Sequence, residues 1–83
     1  MKVQLESTTK IVELVINGVT VPARLWEGET EGGVPCFALI TRIAPAIKTP
    51  ELTAASVAEF ERDLKEQRQP SPAMQSFPLR MIL

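Results

Sequence analysis

The sequence predicts a small α+β fold, in which one helix packs on an antiparallel sheet or partly closed barrel. Three observations predict it. The pair Asn17-Gly18 separates two apolar-rich runs, as in a tight β-hairpin. The segment 34–44 is apolar on both alternating faces, which is typical of a covered strand. Thr49-Pro50-Glu51 carries residue types that favour the N-cap and first turn of a helix. The predicted element order is β-β-β-β-α-β.

The hairpin follows from the chemistry of its turn. A type I′ turn needs positive φ at both central residues, which Asn-Gly tolerates. It would pair Ile16 with Val19, so that one face is apolar: Val12, Leu14, Ile16, Val19, Val21 and Ala23. The opposite face would carry Ile11, Glu13, Val15, Thr20, Pro22, Arg24 and Trp26. The indole and its neighbouring guanidinium are therefore predicted to point away from the core.

Two further strands and a loop surround this hairpin. Residues 2–6 alternate and predict a first strand with Val3 and Leu5 inward. The acidic, glycine-rich residues 27–33 predict a solvated loop. The strand over 34–44 would be central, with the helix on one side and a second subunit on the other.

The C-terminal half predicts a helix over about 50–68, starting at Thr49 or alternatively at Thr53 and ending before Pro70. Its apolar stripe, Val57, Phe60 and Leu64, is expected to face the core. Residues 70–78 read as an extended linker, and 79–83 as a final apolar strand that returns to the sheet and the core. The whole of 1–83 is interpreted as a single small domain.

Composition limits the chemistry that the chain can perform. There is one cysteine, Cys36, and no histidine, so an intrachain disulfide, a zinc site and a His-based catalytic triad are excluded. We expect no catalytic residue, metal or cofactor. A chain of this length has a thin core, and oligomerisation, most simply a dimer, is the remaining way to cover it.

Charge and hydropathy bear on partners and location. The net charge of −1 argues against duplex nucleic acid as a partner. No apolar run is long enough to span a membrane, and the first residues lack the apolar core of a signal peptide. Together with the lone thiol, this favours a cytoplasmic location.

The strongest candidate for recognition chemistry is a group of arginines around the single tryptophan. An exposed aromatic ring beside guanidinium groups suits a ligand with a base and a phosphate. The predicted ligand-binding residues are Arg24, Trp26, Thr41, Arg42 and Arg80. Alternatively, Trp26 anchors a subunit interface, and Arg24 and Arg42 pair with Glu13 or Glu27.

Two other groups are weaker candidates. Glu27, Glu29 and Glu31 could form an acid–base pair or hold a hard cation, although a solvated loop is the favoured interpretation. Cys36 is expected to be a buried strand residue rather than a nucleophile.

Beyond these patterns, the chain resembles small uncharacterised proteins of tailed bacteriophages. The resemblance is carried by PARxWEGxTxxGxP over 22–35, TRIA over 41–44, FERxL over 60–64 and PLRMIL over 78–83. It implies a bacterial host cytoplasm and raises the expectation of a counter-defence role. It transfers no catalytic motif.

The sequence thus leads to a non-catalytic binding protein that sequesters an anionic small molecule, such as a nucleotide signal, at a subunit interface. One alternative is an inhibitor or adaptor of a host protein, docking through a strand edge or the helix face. Another is a minor structural or assembly protein. A nucleotide-processing hydrolase ranks last.

Overall fold

In the computed structural model, which describes residues 1–46, 50 and 52–83, the chain forms a curled, open four-stranded mixed sheet with one helix packed on it. This confirms the predicted fold class. The strands are β1 (Val3–Ile16), β2 (Val19–Thr30), β3 (Pro35–Ile40) and β4 (Arg80–Ile82). The helices are α1 (Ala54–Asp63) and the short α2 (Pro72–Gln75). The strand order is β3-β2-β1-β4, with β4 parallel to β1 and the other pairs antiparallel.

The β1–β2 hairpin has the predicted turn and register. Asn17 and Gly18 take φ values of 51° and 77°, as both central residues of a type I′ turn must. Ile16 pairs with Val19, and the register continues to Val12 opposite Ala23. The prediction about which side chains share a face is therefore confirmed.

The two strands predicted before the turn are one continuous strand. β1 starts at Val3 because β2 continues to Thr30 and pairs with this first part of β1. The observed element order is therefore β-β-β-α-α-β, with one strand fewer than predicted before the helix and a second, short helix after it. The predicted loop over 27–33 is wrong at its first four residues. The reversal comes later, where Gly33 takes a φ of 86° and donates its N–H to the Thr30 carbonyl. Val3 is exposed, contrary to its predicted inward position.

β3 is an edge strand and not the predicted central one. It ends at Ile40, four residues earlier than predicted. Both of its faces are apolar because each lies against a different part of the chain. Phe37 packs edge-on against Phe77 on one side, with ring centroids 5.2 Å apart, while Ile40 lies on the other side below α1.

Helix α1 is shorter than predicted. It starts after Thr53, the alternative N-cap, whose hydroxyl accepts a hydrogen bond from the Ser56 N–H at 3.1 Å. The other start, at Thr49, lies outside the described residues. The helix ends at Asp63, because the following chain turns back and Arg68 bonds to β1. No α1 residue is buried and Leu64 is 45% exposed, so the prediction of a core-facing stripe is wrong.

The segment predicted as an extended linker is folded. Pro70 is buried, and α2 follows it. The Lys10 ammonium donates to the carbonyls of Met74, Gln75 and Phe77 at 3.0, 2.8 and 2.6 Å, so it holds the C-terminal end of α2.

The final strand adds to the sheet at its edge. The strand itself covers three of the predicted residues, Arg80–Ile82, and the flanking Leu79 and Leu83 also hydrogen-bond to β1. Met81 packs on the core, whereas Leu79, Ile82 and Leu83 are exposed, so assigning all of 79–83 to the core was wrong. Strand alternation explains the difference, since only one side of β4 faces inward.

The two faces of the sheet contact different parts of the chain. We call the side of Val12, Leu14, Ala23 and Leu25 the core face; Leu39, Phe77 and Met81 pack near the first three. The opposite side, which carries Ile11, Arg24 and Trp26, is the groove face. The Cα radius of gyration is 14.7 Å, larger than the roughly 12 Å of a compact domain of this length. The open shape leaves a cavity between the groove face and α1.

Candidate functional site

A cavity of about 490 Å³ lies between the groove face and helix α1. Four of the five predicted ligand-binding residues line it: Arg24, Trp26, Thr41 and Arg42. Its walls are largely apolar, from Ile11, Ile40, Ile43, Phe60 and Leu64, with Ser7, Asp63 and Gln67 as further polar lining residues. The structure therefore brings together residues from β1, β2, α1 and the chain that follows β3.

Trp26 is placed among small neighbours on the sheet. Its cross-strand partners are Ser7 on β1 and Ala38 on β3, and Gly28 follows two residues later on the same face. None of these can cover an indole ring, and Trp26 keeps intermediate exposure. The ring thus remains accessible for stacking from the cavity side.

A bulge in β1 shapes the floor of the cavity. Ser7 pairs with Trp26 and Ile11 pairs with Arg24, so β1 carries two more residues than β2 over this stretch. Adding two residues keeps the alternation in phase, and both Ser7 and Ile11 stay on the groove face.

The bulge is held by two side chains. The fully buried Thr8 donates its hydroxyl to the Leu25 carbonyl at 2.7 Å, and its own carbonyl accepts from Arg24 Nη1 at 2.8 Å. Part of the Arg24 guanidinium is therefore engaged with the backbone. The interface alternative pairs Arg24 with Glu13 or Glu27. Within the described part of the chain, Arg24 forms neither ion pair.

Arg42 and Thr41 come directly after β3 and are both exposed. Within residues 1–46, 50 and 52–83, Arg42 makes no hydrogen bond or ion pair. Its guanidinium is thus available to an incoming anion, in contrast to that of Arg24. Within the described part of the chain, Arg42 forms no ion pair with Glu13 or Glu27, the partners that the interface alternative predicts.

Arg80 is not part of the cavity. It lies on β4 opposite Glu13, at the other edge of the sheet. The parallel pairing of β4 with β1 decides its position, and the sequence alone could not supply that strand order.

A second cavity, of about 380 Å³, adjoins the first. The two share Ser7, Trp26, Asp63 and Gln67, and the second adds Leu5, Glu6, Glu66 and Arg68. Trp26 consequently stands where the two cavities meet.

Glu27 is a buried carboxylate that the sequence placed in a loop. It lies on the core face, where its Oε2 accepts from the Ser71 N–H at 2.8 Å and from Arg68 Nη1 at 3.2 Å. Its Oε1 accepts from the Ser71 hydroxyl at 2.5 Å. Burial alone would raise the pKa of Glu27, but the two Ser71 hydrogen bonds and the Arg68 charge outweigh it and lower the pKa. Its alternation with Ala23 and Leu25 was the signal that β2 continues.

Other site classes find little support in the described part of the chain. No three His, Cys, Asp or Glu side chains among those residues are grouped to hold a metal ion. None of the helices described is long and apolar enough to cross a membrane. Cys36 is a half-buried free thiol on β3.

Comparisons with protein-family models, curated proteins and solved structures found no match to this chain. The cavity is therefore the feature from which a function can be inferred.

Proposed function

We propose that the protein is a non-catalytic binding protein that captures a nucleotide in the cavity between the groove face and α1. One observation carries the proposal. Two groups line the same largely apolar cavity: the accessible indole of Trp26 and the guanidinium of Arg42, which has no partner among the described residues. A nucleotide presents the matching pair of groups, a flat ring and a phosphate.

Size and lining agree with such a ligand. About 490 Å³ falls within the range of small-molecule sites, which are commonly apolar with a few convergent polar groups. Stacking of a base on an aromatic side chain contributes about 1–3 kcal/mol. Arg42 would bind the phosphate by charge-assisted hydrogen bonds, with the Thr41 hydroxyl and the remaining Arg24 N–H groups nearby.

The resemblance to tailed-phage proteins supports a biological setting for this chemistry. In that setting, the protein sequesters a host nucleotide signal in the bacterial cytoplasm and needs no catalytic group to do so. The residues that line the cavity come from β1, β2, β3, α1 and the chain that follows β3.

The proposal is tested by calorimetry and by the fluorescence of Trp26, the chain's single tryptophan. Linear and cyclic nucleotides should bind and perturb the fluorescence, whereas the matching nucleosides should bind more weakly. Arg42→Ala should weaken nucleotide binding at least about tenfold, the value of one charge-assisted hydrogen bond. Arg80→Ala is the matched control, because this arginine lies outside the cavity. Absence of binding by every nucleotide, or equal losses in the two variants, would overturn the proposal.

Association of the chain into a dimer is part of the same proposal. β3 lies at the sheet edge and has no charged residue over Pro35–Ile40, so beyond Pro35 its outer edge lacks the charged side chains that commonly prevent pairing. Light scattering over a dilution series at micromolar concentration should give twice the mass of one chain. A monomer throughout would remove the dimer and leave nucleotide binding to its own test.

A further inference from the structure

The two adjoining cavities form one groove whose ends differ in charge. Arg24 and Arg42 line the end beyond Trp26 on the α1 side, whereas Glu6 and Glu66 line the other end. Arg68 also borders the acidic end, but its guanidinium is engaged with Glu6 at 3.5 Å and Glu27 at 3.2 Å. A ligand stacked on Trp26 therefore has an anion-binding end and an end rich in hydrogen-bond acceptors.

Asp63 is the carboxylate best placed to contact the ring of such a ligand. It lines both cavities together with Trp26 and Gln67. Its carboxylate has no hydrogen-bond or ion-pair partner anywhere in the part of the chain that the structure describes. An ionised carboxylate only accepts hydrogen bonds, so the ligand atoms that meet Asp63 must be donors.

The common bases differ in how many donors they present side by side. Guanine has its ring N1–H next to the exocyclic amine, which gives two adjacent donors for one carboxylate. In adenine and cytosine the amine is adjacent to a ring nitrogen that accepts, and in uracil the N–H lies between two carbonyls. Only guanine therefore meets both oxygens of a carboxylate without repulsion, and the Gln67 amide can donate to its O6.

From this arrangement we infer that the groove selects guanine nucleotides. The Asp63 carboxylate accepts hydrogen bonds from the guanine N1–H and amine, Trp26 stacks on the ring, and Arg42 binds the phosphate. The inference rests on the proposed function and adds the identity of the base.

The test compares three nucleoside monophosphates by calorimetry and Trp26 fluorescence. GMP should bind at least about tenfold more tightly than IMP, which lacks the exocyclic amine, and more tightly than AMP. Asp63→Asn should bring GMP to about the affinity of IMP, weaken IMP less than GMP because IMP offers this residue only its N1–H, and leave AMP nearly unchanged. Glu61→Gln is the control, an exposed acidic residue of the same helix that lines neither cavity.

Asp63→Asn is expected to fold, because Asp63 ends α1 and a negative charge there is unfavourable to the helix dipole. Thermal melting of the Asp63→Asn variant measures whether it is folded. Equal affinities for GMP, IMP and AMP would overturn the inference and leave the proposed function standing. A preference for GMP that persists in Asp63→Asn would also overturn it. Failure of all three to bind would remove the proposed function as well.

Discussion

The carboxylate of Glu27 joins β2 to the C-terminal part of the chain. It is buried and accepts three hydrogen bonds, two from Ser71 and one from Arg68. A buried charge is stable only when such partners compensate for its lost hydration. The residue therefore supports the position of the chain after α1, and with it one side of the groove.

Replacing Glu27 by Gln should destabilise the fold at neutral pH by about 1–3 kcal/mol, since hydrogen bonds to a charged group are lost or weakened. The effect should depend on pH. The hydrogen bonds from Ser71 and the charge of Arg68 lower the pKa of Glu27 in the folded chain below its value in the unfolded chain. Its contribution is thus present above the unfolded pKa and is lost as pH falls through the folded pKa. Urea unfolding at neutral and at acidic pH measures both effects.

Glu29→Gln is the control for this experiment, because Glu29 lies on the same strand but is exposed. It should leave the free energy of unfolding within about 0.5 kcal/mol of the original protein. If Glu27→Gln lost stability on acidification as steeply as the original protein, Glu27 would not be the group responsible.

Single-residue positions were predictable where a local signal determined them. The Asn17-Gly18 turn fixed the register, and this placed Arg24 and Trp26 on the side away from the core. Glu27 was misplaced because its partners are 41 and 44 residues away along the sequence. No local sequence pattern around Glu27 predicts that Arg68 and Ser71 are its hydrogen-bond partners.

At the scale of elements, the close approach of β1 to β2 depends on Gly28. A Cβ atom built there would overlap the carbonyl oxygen of Gln4 on the neighbouring strand. Gly28→Ala should therefore destabilise the hairpin by about 1–3 kcal/mol, as overpacked sites do. Chemical denaturation measures the loss.

Gly32 provides the matched control. An added Cβ there meets only the Thr30 hydroxyl oxygen, at 3.9 Å, which is ordinary contact. Gly32→Ala should be neutral or slightly stabilising. Similar stabilities for the two alanine variants would show that β1 and β2 can separate at Gly28 without cost.

The short helix α2 depends on a side chain from β1. Lys10→Met keeps most of the aliphatic stem but removes the three hydrogen bonds to the α2 end. We expect a loss of about 1–2 kcal/mol and faster amide exchange around 72–77. Lys2→Met, an exposed lysine near the start of the chain, should change neither. Unchanged exchange in Lys10→Met would contradict a capping role.

Element boundaries show where local signals stop being sufficient. The N-cap Thr53 and the turn at 17–18 act through neighbouring atoms and were identified. The end of α1 was placed too late, because Pro70 suggested a stop while backbone bonding of Arg68 to Ser7 and Thr9 determined the path. The position of Arg80 depended likewise on β4 pairing in parallel with β1.

For the whole molecule, the sheet divides stability and recognition between its faces. The buried apolar side chains and the C-terminal segment lie on the core face, while the charged groups proposed to bind ligand line the groove face. Ala23 also lines the first cavity, and Glu27 binds Arg68, which lines the second. Substitutions at the other core-face residues should leave ligand binding largely intact.

β4 allows this division to be tested at adjacent residues. Met81 packs against the Val12, Leu14 and Ala23 cluster, whereas Ile82 is 79% exposed on the opposite side. Met81→Ala should lower the free energy of unfolding by about 1–2 kcal/mol, below the cost at a fully buried methionine because Met81 is only partly buried. Ile82→Ala should leave the free energy of unfolding within about 0.5 kcal/mol of the original protein.

In both variants Trp26 fluorescence should match that of the original protein, since neither residue lines the groove. Equal destabilisation by the two substitutions would mean that β4 presents a different face to the core, and a changed Trp26 signal in Met81→Ala would mean that the two faces are coupled through the sheet.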